Sequence, residues 1–389
     1  MFKNNWIVDA LIVLIIIVFL RFFSFTLVEE NSKLGTLGII GPGILLSIFT
    51  LYSYIFKKGI EKKVIDRFII YFIFCMVLST VTANLYWDQS FIVSLKEYKY
   101  FYIYFLYFLP ILLNIEKERL NRILIILFLF SVFIFLIDFV TFPDPLFSYR
   151  TEERREGRTI FFFGQGFTFL GGFYFLNKYV TEKKIIFLIL FAIACGCLFL
   201  LTQSRMNLLA LGLGFFLIFL TSNFSKKYFI AFALVVISTV VYTSTNIFSG
   251  VKEASKDQSQ NYKEDIRLQA HNYFLTSFQG GPATVIFGNG FPSADSKLGL
   301  ESLRGNLLGY WTADVGLTGI FSYFGLLGVL VWLLLFYYVL KIKVSENSMY
   351  IKGYFLALLS TALTGYSIFD PGYMPATILA LSLLRYECI

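Results

Sequence analysis

Long apolar stretches follow one another along this chain, each near the length that crosses a bilayer and each closed by a short charged interruption. A spanning helix needs about 20 largely apolar residues to cross roughly 30 Å of hydrocarbon. By that measure the pattern predicts about twelve spans, at residues 6–28, 34–56, 68–87, 98–115, 123–142, 160–176, 185–201, 207–223, 228–248, 314–340, 350–369 and 373–384. The second contains Gly38, Gly41, Pro42 and Gly43 and the last is short, so counts of ten or eleven stay open. The first lacks a small-residue cleavage site and outruns a signal-peptide core, which predicts a retained signal anchor. The expected fold is therefore all-α, a polytopic integral membrane protein with residues 1–389 in one membrane domain and residues 246–310 as a large outer loop.

Composition supports a lipid solvent, since 57% of the 389 residues are hydrophobic, 20% aromatic and 15% charged, well outside the range of an ordinary soluble domain. Charge then sets orientation, because cytoplasmic connections keep an excess of lysine and arginine. Lys57, Lys58, Lys62, Lys63 and Arg67 fill the second connection, Lys117, Arg119 and Arg122 the fourth, and Lys178, Lys183 and Lys184 the sixth. Lys226 and Lys227 fill the eighth, and Lys341, Lys343 and Lys352 the tenth. The even connections and both termini are expected in the cytoplasm. The net charge of +8 is accounted for by these inner loops, so no nucleic-acid partner is expected.

Basic residues on the odd, outer connections need another reason. The fifth connection mixes Arg150, Arg154, Arg155 and Arg158 with Glu152, Glu153 and Glu156. The ninth, over about residues 246–310, is long enough to fold over the membrane. Within it, Asn261 followed by Glu264 reads as a helix start, Ile266, Ala270, Tyr273 and Phe274 recur at helical spacing, and Gly280-Gly281-Pro282 reads as the stop. Arg267 and His271, four residues apart, share a face of that helix. The short seventh connection, Thr202-Gln203-Ser204-Arg205, puts a third source of arginine on the same side. Any one of these is explained by snorkelling, but guanidinium forks converging from three loops suit a lipid-linked diphosphate at the outer interface.

The order of three segments resembles a known family. "LLTQSRMNLLALGLGFFL" (residues 200–217), the long loop with Arg267 and the "FGNGF" turn (residues 287–291), and "ADVGLTGIFSYFGLLG" (residues 313–328) are similar in layout to the Wzy-type O-antigen and capsule polysaccharide polymerases and the related O-antigen ligases. The resemblance implies a glycosyltransferase of the bacterial cytoplasmic membrane that moves a growing glycan from polyprenyl diphosphate onto a lipid-linked oligosaccharide repeat unit at the outer face. It implies no cofactor or metal, arginines stabilising the leaving diphosphate, and a chain-length regulator and a flippase as partners. On it, Arg205 and Arg267 match the family's diphosphate-binding arginines, and Arg154, Arg155 and Arg158 are further substrate-binding candidates.

A base should also take the proton of the attacking sugar hydroxyl. Ligases of the group carry His-Asn near the start of the helix after the long loop, whereas this chain reads Thr312-Ala313-Asp314-Val315, which disfavours a ligase. Asp314, expected to be partly buried with a raised pKa, and His271, the chain's single histidine, are the candidate catalytic bases, with other loop acids open. Tyr273, Tyr310 and Trp311 are placed to stack on sugars. Cys75, Cys195, Cys197 and Cys388 read as packing residues rather than a disulfide or zinc set, and Gly164, Gly166, Gly171 and Gly172 as close helix contacts. An O-antigen ligase and a lipid-linked oligosaccharide flippase are the alternative functions. The flippase lacks its expected marks, since no internal repeat is seen and the charges cluster at helix ends rather than mid-membrane. A non-enzymatic sensor or assembly subunit is a further class.

Overall fold

Apolar runs become helices wherever the computed structural model describes the chain, which is residues 6–19, 41–57, 59–141, 164–202, 205–223, 227, 265–365 and 367–388. The first part comprises α1 (Trp6–Phe19), α2 (Gly41–Phe56), α3 (Val64–Trp87), α4 (Phe91–Glu97), α5 (Leu109–Leu112), α6 (Lys117–Val140), α7 (Gln165–Glu182), α8 (Ile185–Thr202) and α9 (Arg205–Thr221). Within the long loop lie α10 (Ile266–Leu275), α11 (Pro282–Phe287) and α12 (Lys297–Leu307), and after it come α13 (Leu317–Lys341), α14 (Met349–Thr361) and α15 (Met374–Arg385). No strand occurs among the described residues. Three of these helices, α3, Lys117–Ile137 within α6, and α13, are long and apolar enough to cross a membrane. The expected span at 228–248 lies outside the described residues.

Several expected spans depart from one straight helix, each for a local reason. Over 98–115 the chain forms a 3-10 helix, Phe101–Phe108, before the single turn of α5. Pro110 has no N–H to offer the Leu106 carbonyl, which takes the Leu109 N–H in the tighter pattern instead. The 3-10 segment is wholly buried, and its Tyr104 hydroxyl reaches the Ile368 carbonyl. The expected span at 350–369 stops being α-helical at Thr361, and a second 3-10 turn, Ser367–Phe369, follows. Residues 314–340 begin with a 3-10 turn, Thr312–Val315, and α13 is broken at Gly325, whose φ of 65° belongs to the left-handed region.

α7 lies at the centre, and every side chain from Gln165 to Asn177 is buried. A β-carbon on Gly171 would overlap the Phe128 ring of α6, and one on Gly172 would sit 2.9 Å from Ala194 of α8. Small residues thus let neighbouring helices approach closely, as expected for them.

Side-chain contacts define two ends of the bundle. At the basic end Asp66, 1% exposed, accepts hydrogen bonds from Tyr54 Oη (2.7 Å), Tyr107 Oη (2.6 Å), Arg385 Nε (3.0 Å) and the Lys63 amide (2.9 Å). Arg119 on α6 is paired with Asp9 on α1 at 2.6 Å, and Glu387 with Lys117. Burial alone would raise the Glu387 pKa, but the Lys117 ammonium and donors from Ser345 and Ser348 outweigh it and hold the carboxyl down at about 2. Its folded-state value is depressed, so its stabilisation is complete above the ordinary value of 4.5 and is lost as pH falls towards 2. Melting temperature measured from about pH 6 to pH 3 is expected to fall less steeply in Glu387→Gln than in wild type.

Candidate functional site

The opposite end carries the folded part of the long loop. Asp265 caps α10 by accepting the Arg267 N–H at 2.8 Å, so the helix begins at Ile266, and Asn261 and Glu264 lie outside the described residues. Ala270, Tyr273 and Phe274 point inward and form, with Phe278, Leu298 and Val315, a small core separate from that of the bundle. Ile266, expected on the same apolar face, is exposed. The helix ends at Leu275, before the glycines; Gly281 and Pro282 instead open α11, where proline at the first position has no N–H to lose.

The Gly288-Asn289-Gly290 turn then inserts beside the break in α13. Asn289 is completely buried. Its Oδ1 accepts from Trp87 Nε1 (2.8 Å) and the Gly280 amide (3.2 Å), and its Nδ2 donates to the Ser322 carbonyl (3.0 Å) and Gln279 Oε1 (3.3 Å). The Asn289 and Gly290 amides donate to the Ser322 and Tyr323 carbonyls, both at 3.0 Å. Gly288 has φ 86°, and a β-carbon there would overlap the Tyr323 carbonyl; one on Gly325 would overlap that of Ile286. Two glycines on facing backbones let the loop and the broken helix share hydrogen bonds. The turn is therefore a structural latch.

This latch places α10 over the start of α13. Arg267 and His271 do share a face of α10, and both are half-exposed. His271 Nδ1 lies 2.7 Å from Thr318 Oγ1 in the first turn of α13. Burial lowers the His271 pKa and Asp265 partly offsets this, so the imidazole is neutral at neutral pH and able to accept a proton. The Arg267 guanidinium makes no hydrogen bond or ion pair with any described residue. Asp314, in the 3-10 turn ahead of α13, is exposed rather than partly buried. Tyr273, expected as a sugar platform, is buried and donates to Glu301 at 2.6 Å, because it belongs to the loop core; Trp311 is exposed.

Arg205 is the first residue of α9, two positions before the buried Asn207. Asn207 Oδ1 lies 3.4 Å from Tyr373 Oη, which also donates to Gln165 Oε1 at 2.9 Å, and the Gly166 amide donates to the Gly372 carbonyl at 3.0 Å. The segment before Tyr373 leads back to α13, where the Leu317 amide donates to the Ala362 carbonyl at 3.0 Å. Residues 362–365 and 367–373 thus form a rim between the start of α9 and the His271–Thr318 contact, with Asp370 on it, its Oδ1 accepting the Gly372 amide at 2.7 Å. Gln165, Asn207, Tyr373 and Asp370 were not singled out in the sequence, where isolated polar residues at span ends read only as boundaries. Arg154, Arg155 and Arg158 lie outside the described residues.

No group of histidine, cysteine and acidic side chains suited to a metal ion occurs among the described residues, and the four cysteines are free thiols. A cavity of about 200 Å³ with a mixed lining that includes Asn177, Lys183, Glu346, Val180, Ile218 and Met349 lies at the basic end, away from these residues. Comparison with protein-family models, with curated proteins and with solved structures finds no match.

Proposed function

We propose that this chain is a polysaccharide polymerase of the Wzy type, a membrane glycosyltransferase that extends a lipid-linked glycan at the outer face of the bacterial cytoplasmic membrane. On this reading the three long apolar helices belong to a set of about twelve spans, both termini are cytoplasmic, and the latch end is the outer end. The observation that carries the proposal is the Arg267 guanidinium, which pairs with no described residue, one helical turn from a neutral, Thr318-bonded His271, on a loop helix seated over α13.

A hydroxyl oxygen of the acceptor repeat forms a bond to the anomeric carbon of the donor glycan, and the bond from that carbon to the polyprenyl diphosphate breaks. The electron pair leaves on a phosphate oxygen, and the guanidinium groups of Arg267 and Arg205 are assigned the stabilisation of the developing charge. The hydroxyl proton passes to His271 Nε2 or to the Asp314 carboxylate.

The proposal is tested with purified protein in liposomes containing a synthetic polyprenyl-diphosphate repeat and no nucleotide sugar. A ladder of longer lipid-linked glycans with release of polyprenyl diphosphate is expected; an unchanged repeat under conditions where the protein is folded contradicts it. Within the same assay His271→Gln and Asp314→Asn separate the two bases. Loss of the true base is expected to slow elongation about a hundredfold, and the other substitution to leave the rate within a few-fold.

A further inference from the structure

α12 presents three different faces. Leu298 and Gly305 turn into the loop core, the latter against the Tyr273 ring. On another side Leu300, Leu303 and Leu307 are 62%, 54% and 82% exposed, and at about 100° per residue they fall within roughly 60° of arc. Lys297 and Arg304 flank this stripe on one side, both largely exposed. A leucine stripe edged by cations is the pattern of a helix lying in a membrane interface, with leucines among acyl chains and cations at the phosphates.

The position of α12 agrees with that pattern. Its anchors are Asp88, which pairs with Lys297, and Gln89, whose Oε1 accepts from Ser296 Oγ at 2.7 Å; both follow directly on Trp87, the last residue of α3. Along α3, Tyr71, Phe74 and Val77 are exposed at one-turn intervals, and Leu85 is exposed near its end. Beside it α4 exposes Phe91, Ile92 and Leu95. The start of α12 is therefore anchored at the end of α3, one of the helices able to cross a membrane and one that itself exposes apolar side chains.

We propose that α12 lies in the plane of the bilayer interface at the latch end, its leucine stripe covered by phospholipid acyl chains and Lys297 and Arg304 among the lipid phosphates. The inference is independent of the chemistry the protein performs. It is tested on full-length protein in liposomes of phosphatidylcholine and phosphatidylglycerol, with an environment-sensitive fluorophore attached at Leu303→Cys, at Phe74→Cys in α3, or at the exposed Ser277→Cys of the loop. Wild type, whose cysteines are buried or half-buried, supplies the labelling blank. Nitroxide lipids at two depths are expected to quench the Leu303 label about 5–10 Å into the interface, the Phe74 label more deeply, and the Ser277 label hardly at all. A quenched Phe74 label with Leu303 behaving like Ser277 overturns the placement of α12 while leaving the spans intact. A blue-shifted Leu303 label that lipid nitroxides do not reach also overturns it, since protein rather than lipid then covers the stripe.

Discussion

Asn289→Ala is expected to destabilise the protein by roughly 2–6 kcal/mol, from about 1–3 kcal/mol for each of the two donors, the Trp87 indole and the Gly280 amide, that lose their acceptor. The Asn289 side chain is completely buried and satisfies the Trp87 indole N–H and the Gly280 amide while donating to Ser322 and Gln279. Alanine removes all four bonds. Asn289→Asp keeps the acceptor for Trp87 but turns a carboxylate oxygen towards the Ser322 carbonyl, and is expected to be nearly as damaging. The loss is read as a fall in melting temperature of the detergent-solubilised protein, with Thr276→Ala, at an exposed position, unchanged. Because the latch seats α10 on α13, Asn289→Ala is also expected to expose the segment around residues 279–296 to limited proteolysis.

Asp66→Ala is expected to be at least as severe. The Arg385 side chain, 13% exposed, directs its Nε and a terminal nitrogen to the Asp66 carboxylate, which the Tyr54 and Tyr107 hydroxyls also address. Removing one member of a buried ion pair costs about 3–5 kcal/mol, because the remaining charge is left without a partner. The stranded hydroxyls add to that. Asp66→Ala is expected to abolish the monodisperse peak of the solubilised protein in size-exclusion chromatography. Asp66→Asn combined with Arg385→Gln removes both charges at similar volume and is expected to recover part of it. Equal loss in the double variant would mean that the hydroxyl network, rather than the ion pair, holds α15 in place.

The helical character of the described chain was legible in its apolar runs, and so was the shared face of Arg267 and His271, since both depend on local periodicity. Where helices break was less so. Pro110 marks the end of the 3-10 segment by a missing N–H, a local signal. Gly325 looks like any glycine in an apolar run, and its break is stabilised by a loop more than 30 residues earlier in sequence. Asn289 and Trp87 are separated by 202 positions, and no pattern within a single stretch links them. Gly280-Gly281-Pro282 is a stop by composition, yet the same proline begins the next helix. The exposure of Asp314 and the burial of Tyr273 likewise depend on which side of the loop core each residue meets. The rim of Gln165, Asn207, Asp370 and Tyr373 was missed because its members come from three distant parts of the chain, each contributing one or two polar residues to an apolar boundary.

The two arginines carry the central claim. Glycan chain length in a strain lacking this protein, complemented at matched expression with wild type, Arg205→Ala or Arg267→Ala, tests it most directly. Wild type is expected to restore long chains and each variant to leave single lipid-linked repeats on the outer face of the membrane. Repeats held on the cytoplasmic face, full-length polymer still on its lipid carrier, or unchanged glycan in every strain would contradict the polymerase account.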